Sequence, residues 1–218
     1  LFRVGHAEAY ATLVDASAPD VARFAPGNHG VFMGYDFHLT AAGPRLIEVN
    51  TNAGGALLNG LHTATLCEPA RLACLCDGLL SVDTMEQRIL DTFSAELRAV
   101  RGEDARLGAV AIVDDRPEEQ FLREEFSLFR SLFERHGIRC AIGDTGALSR
   151  DDAGRLRLGD LALDLVYLRD TDFLLEAPRS AVLRAAFLAG AVVVTPAPRE
   201  HHLLANKRRV PTSTLFDA

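Results

Sequence analysis

The chain has 218 residues, 48% of them apolar, with a formal charge of −7. That length suits one large or two small domains with a real core. The negative balance excludes duplex nucleic acid as a main partner, because phosphate binding needs clustered cations. No apolar run reaches the length of a membrane span and no signal peptide is visible, so no membrane partner is expected. The first residue is Leu1 rather than Met, and the chain is expected to be a piece of a longer product.

In chain order, the Ala-rich opening with Val4, Tyr10, Leu13 and Val14 predicts a short helix, and Asp20 is placed to cap a further turn before Pro26-Gly27. Gly30 to Leu39 reads as a strand, Ala41-Ala-Gly-Pro44 breaks it, and Arg45 to Asn50 runs back with alternating apolar and polar residues. The pattern is a hairpin. A period of two puts Arg45, Ile47 and Val49 on one face and Leu46, Glu48 and Asn50 on the other, with Asp36 near the level of Glu48 and Asn50. Carboxylates from Asp36 and Glu48 with the amide oxygen of Asn50 form a hard-oxygen cluster suited to Mg²⁺; a plain solvated hairpin face is the alternative.

Ala56 to Leu66 predicts a helix whose N-terminus, after Gly54-Gly55, would point amides at a bound anion. The four cysteines, Cys67, Cys74, Cys76 and Cys140, do not form a disulfide framework in a chain this long and read as reduced, partly buried thiols of a cytoplasmic protein. His62 with the first three of them lacks the paired spacing of zinc sites, and Leu72, Leu75 and Leu79 read as helix. From Asp83, apolar residues Met85, Ile89, Phe93, Leu97 and Val100 recur at helical spacing up to Gly102. The charged stretch that follows marks the expected division between a region 1–102 and a domain 107–200, with 201–218 beginning a further region.

The second half predicts β-α-β-β-β-α-β. Strands fall at Leu107–Val113, Ile138–Ile142 and Leu165–Leu168, a small hairpin turns on Gly159-Asp160, and Ala191–Thr195 closes before Pro196. Helices begin at Pro117 and Ser180. Alternating strands and helices imply α/β architecture with a Rossmann-like parallel sheet, where ligands bind beyond the carboxyl ends of the strands. Asp114-Asp115-Arg116, Arg169-Asp170 and Thr195-Pro196 occupy those ends. Ala111-Ile-Val-Asp-Asp115 with Asp164-Leu-Val-Tyr-Leu168 also resembles a response-regulator receiver. The phosphoacceptor position there is Arg169, and no lysine follows the last strand at receiver spacing.

Asp36-Phe-x-Leu-Thr-x-x-Gly-x-x-x-x-Glu48-Val-Asn50-Thr-x-x-Gly54-Gly55 resembles the metal-binding hairpin of ATP-grasp ligases. With Tyr167-x-Arg169-Asp170 and a Lys-Arg segment near the end, the order of motifs is similar to eukaryotic-type glutathione synthetases and other circularly permuted ATP-grasp proteins. The resemblance implies part of an ATP-grasp domain followed by a Rossmann-like substrate-binding domain. It implies Mg²⁺ and ATP as cofactors, with Asp36, Glu48 and Asn50 as metal ligands. Asn52, Gly54, Gly55 and Lys207 would contact the nucleotide; Lys207 is the sole lysine among 23 basic residues. Arg169 would grip a substrate carboxylate through its planar fork; a surface ion pair with Asp170 or Asp172 is the alternative. Asp114, Arg116 and Gln120 would face substrate. The implied reaction is ATP-dependent joining of a small-molecule or peptide carboxylate to an amine. Homodimer formation is left open, and this stretch alone is expected to be inactive. A non-enzymatic binding or scaffold module of the same fold is the other expectation.

Overall fold

A computed structural model describes residues 18–67 and 78–205. The predicted opening helix, the Leu72–Leu75 stretch, Cys74, Cys76 and Lys207 lie outside the described residues. The first element among the described residues is a single helical turn, Asp20–Arg23, in which Asp20 Oδ1 accepts from Val21 N; Pro19, not Asp20, holds the cap position.

Strands β1 (Gly34–Thr40) and β2 (Gly43–Asn50) form the predicted antiparallel hairpin, a sheet of two strands. Its register pairs Gly34 with Asn50, Tyr35 with Val49 and Asp36 with Glu48, then shifts so that Phe37 meets Leu46 and His38 meets Arg45. The shift absorbs Ile47 as a bulge and changes the parity expected from simple alternation. Cross-strand partners share a face, so Leu46 joins Val49, Tyr35 and Phe37, while Arg45 joins Glu48 and Asp36. Only Val49 of that apolar face is buried; Tyr35, Phe37 and Leu39 stay exposed, Leu39 at 80%.

Helix α1 (Ala56–Cys67) follows the glycine turn, and α2 (Val82–Arg101) is the long amphipathic helix predicted from Asp83. Ser81 caps α2 by accepting from Thr84 N at 3.2 Å, and Gly102, at φ +95°, ends it in a backbone conformation that suits glycine. Cys67 is disulfide-bonded and Cys140 is free. This corrects the expectation that every cysteine is a reduced thiol. Whether two sulfurs meet depends on Cβ separation in the fold, which spacing along the chain does not set.

The second half holds a parallel sheet of four strands in the order β4-β3-β8-β9, from Arg139–Asp144, Ala109–Asp114, Leu165–Leu168 and Val193–Thr195. Between β4 and β8 runs an antiparallel meander, β5 (Leu148–Arg150), β6 (Leu156–Leu158) and β7 (Leu161–Ala162). Its last two strands are the predicted hairpin; β5 lies in what reads as a polar connection. Helix α3 (Arg123–Arg135) begins later than Pro117, which instead starts a short 3₁₀ turn, and α4 covers Ala181–Leu188. After β9, a cis Thr195–Pro196 bond leads to a helical turn and a π-helical segment, His201–Ala205.

Every residue of β3 and β8 is buried, as expected for strands covered on both faces. Val110, Ile112, Leu165 and Tyr167 face one core with Phe93 of α2 and Phe129 and Phe133 of α3. Ala111, Val113, Val166 and Leu168 face the other, with Leu183 and Phe187 of α4 and Leu156 of β6. Phe93 is the hub of the first core. Its ring stands edge-on to Phe133 and Tyr167 at centroid distances of 5.0 and 5.1 Å, the geometry favoured by aromatic quadrupoles. Leu57 of α1 lies in the same core, so residues on both sides of 103–106 share one interior. Among the described residues, no helix is long and apolar enough to cross a membrane.

Candidate functional site

The turn Thr51–Gly55, between the hairpin and α1, lies against the carboxyl ends of the parallel strands, and the two sequence motifs meet there. Arg169 follows β8 directly and is 8% exposed. Its Nη1 donates to the backbone oxygens of Asn52 (3.1 Å) and Ala53 (3.3 Å), to Asn52 Oδ1, and to the Tyr167 hydroxyl (3.2 Å). Its guanidinium carbon stands 5.2 Å from the centre of the Tyr167 ring. In return, Asn52 Nδ2 donates to the Arg169 carbonyl at 3.2 Å. The surface ion pair with Asp170 or Asp172 does not form. Asp170 instead takes a bidentate pair of bonds from Arg179, both 2.8 Å, and a third from Thr145 Oγ1. Burial pushes the Asp170 carboxyl up, but the bonds from Arg179, Asp172 N and Thr145 outweigh it and hold the group below the usual range.

One edge of the Arg169 guanidinium is left over. Nη1 carries the internal bonds, whereas buried Nε has no partner. Nη2 lies beside Gly54, where an added Cβ would come within 2.6 Å of it and 2.4 Å of Leu122 Cδ1. The Nε–Nη2 edge of an arginine is the fork that takes a carboxylate in two parallel bonds, and an uncompensated buried donor is costly.

Asp114 ends β3 beside this guanidinium and is 7% exposed. Burial pushes its pKa up to about 6; the nearby Asp170 charge adds to the rise, while a bond from Asp115 N and the charge of Arg169 oppose it. Of the other two residues expected to face substrate, Gln120 spans the loop by donating to Asp115 O. Arg116 sits at φ +48°, its amide donating to Asp144 Oδ2 and its guanidinium paired with Glu119. Tyr167 is buried in the first core, which pushes its hydroxyl pKa up to about 12.

Two of the expected nucleotide contacts, Asn52 and Gly55, are engaged within the chain. Both polar side-chain atoms of Asn52 bond to Arg169. The Gly55 amide donates to Glu125 Oε2 at 2.8 Å, and Leu57 N donates to Glu125 Oε1 at 3.1 Å. The anion faced by the start of α1 is therefore a carboxylate of the chain itself. Glu125 was missed in sequence, yet a signal exists: it lies one helical turn from Phe129 and two from Leu132, on the buried stripe of α3. A carboxylate at such a place needs a partner. Gly54 keeps its backbone exposed.

On the hairpin, Asp36 stands directly across from Glu48, and Asn50 lies two residues beyond, opposite side-chain-free Gly34. Asn50 Oδ1 accepts from Asn52 N at 2.9 Å, which couples the hairpin to the turn and leaves the oxygen a second lone pair. Two carboxylates and an amide oxygen on one exposed face fit a hard cation such as Mg²⁺. Among the described residues, no group of three or more His, Cys, Asp and Glu is placed to hold a metal.

No family model matches the chain, and no curated protein does. Among solved structures, it is similar to a glutathione synthetase-like effector from Globodera pallida in its apo form, with a TM-score of 0.55 and 16% identity. The match covers 89% of this chain and 48% of the effector, so the chain spans about half the length of that neighbour. The likeness lies in the fold: this chain has the α/β architecture of a glutathione synthetase-like protein.

Proposed function

We propose that this chain is the hairpin and substrate-binding portion of a circularly permuted ATP-grasp ligase, which joins a small-molecule or peptide carboxylate to an amine through an acylphosphate. The observation that carries this reading is the buried Arg169 guanidinium, held by Nη1 and left with an unpartnered Nε beside the Gly54 turn. Arg169 holds the substrate carboxylate, and the turn keeps the guanidinium from swinging away. Asp114, at the end of the adjacent strand, provides a negative partner for an amine on the same substrate. Asp36, Glu48 and Asn50 hold Mg²⁺ from the hairpin face. Mg-ATP, when bound, supplies the phosphoryl group and neutralises charge as it transfers. Lys207, outside the described residues, would contact the nucleotide phosphates by the resemblance. The exposed apolar residues Tyr35, Phe37 and Leu39 support a hairpin that packs on further ATP-grasp structure. On this reading the described stretch does not catalyse by itself.

Calorimetry of Mg-ATP binding, on this chain and on the longest product of its parent, tests the assignment. In the longer form, Glu48→Ala and Asn50→Ala are each expected to weaken binding about tenfold or more without unfolding the protein. Unchanged affinity in both variants rules out the metal assignment. Absence of binding in both wild-type forms favours the non-enzymatic module.

A further inference from the structure

The glycine turn is held from two sides, by opposite charges that both come from the parallel-sheet half. Arg169 takes the carbonyls of Asn52 and Ala53. Glu125, 1% exposed, takes the amides of Gly55, Leu57 and Leu58 with its two oxygens. Between these anchors lies Gly54, pressed against Arg169 Nη2 and Leu122, three residues before Glu125. Helix starts are ordinarily capped by a neighbouring Ser, Thr, Asp or Asn. Here the acceptor comes from 70 residues away, on a different helix. A local cap would fix only the start of α1. A cap supplied by α3 fixes that start relative to the sheet end from which Arg169 projects.

We propose that Glu125 is a positioning residue for Arg169. By anchoring the amides of Gly55 and Leu57, it sets the turn that packs against Nη2 and so holds the guanidinium in one orientation. The role deepens the carboxylate-docking reading given for Arg169 and rests on it. Glu125 touches no substrate; it acts through the turn.

The test uses the full chain and nuclear magnetic resonance of the Arg169 Nε–Hε group, assigned by its loss in Arg169→Lys, with acetate as the probe. Glu125→Gln keeps the shape but replaces one acceptor oxygen with a donor that faces backbone amides. It is expected to speed hydrogen exchange at Gly55 and Leu57 about tenfold or more, move the Arg169 resonance and weaken acetate binding. Glu124→Gln, on the exposed side of the same turn, should change none of these. A Glu125→Gln protein with a lower Tm but an unmoved Arg169 resonance makes Glu125 a structural cap only and overturns the proposal. If that variant does not fold, Glu125→Asp, which retracts the carboxylate and keeps its charge, is judged by the same resonance. If acetate leaves the wild-type resonance untouched, carboxylate docking fails, while the comparison of wild type with the Gln variant still decides the role of Glu125.

Discussion

Arg169 and Asp114 differ in how burial has been offset. The guanidinium is fixed by Nη1 contacts, whereas burial, with the Asp170 charge nearby, pushes the carboxyl of Asp114 up to about 6. The folded chain therefore binds this proton more tightly than the unfolded chain, whose ordinary Asp titrates near 3.8. The sign follows from linkage: stability from the protonated form is complete below the unfolded value and is lost as pH rises through about 6. Asp114→Asn, whose amide oxygen can still accept from Asp115 N, should be more stable than wild type at pH 7 by about 1–3 kcal/mol. The two proteins should converge near pH 4. Urea unfolding at both pH values measures the difference, and a constant offset would contradict the assignment. In sequence, Asp114 was visible as a polar residue at a strand end; its raised pKa was not, because that depends on burial beyond the strand and on Asp170.

At the scale of elements, α2 shows how periodicity becomes tertiary contact. The stripe through Ile89, Phe93 and Leu97 was legible as an apolar face, and those residues are buried. Periodicity did not say that Phe93 would meet Phe133 of α3 and Tyr167 of β8 in edge-on geometry. Phe93→Ala should lower stability by about 3–5 kcal/mol, because it leaves a cavity among rigid rings. Since Tyr167 carries the hydroxyl that Arg169 contacts, the Arg169 resonance should also broaden. Chemical denaturation and the same resonance measure the two effects. The hairpin shows the limit of pattern reading. Alternation predicted its strands, but the bulge at Ile47 reassigned Leu46 and Arg45 between faces. An extra residue is absorbed wherever cross-strand pairing gains most, and that sum runs over both strands.

At the scale of the whole molecule, one core joins α1 and α2 to the parallel sheet, and the turn after Asn50 is bonded to residues far along the chain. The disulfide at Cys67 belongs to this scale as well. Thiol titration of the denatured, unreduced chain should find fewer than the four cysteines in the sequence, and reduction should return the count to four. A count of four before reduction would exclude the bond. Where the bond is intact, reducing it should lower stability by about 2–4 kcal/mol.

Taken alone, the sequence determined the local terms. Apolar runs specified the buried strands β3 and β8, helical spacing specified α2 and α3, and Gly-Pro punctuation with alternation specified the hairpin. Each depends on neighbours a few residues away, which a single chain displays openly. The level of Asp36 with Glu48 was legible for the same reason, since a tight turn brings these residues together. Tertiary structure decided which groups cancel one another. Spacing left Asn52 and the Gly55 amide open to a ligand, and Arg169 open to a surface pair; folding joined Asn52 to Arg169 and gave Gly55 to Glu125. A hydrogen bond is fixed within a few tenths of an ångström. Partners separated by 70 and 117 residues reach that precision only after the sheet and helices have packed.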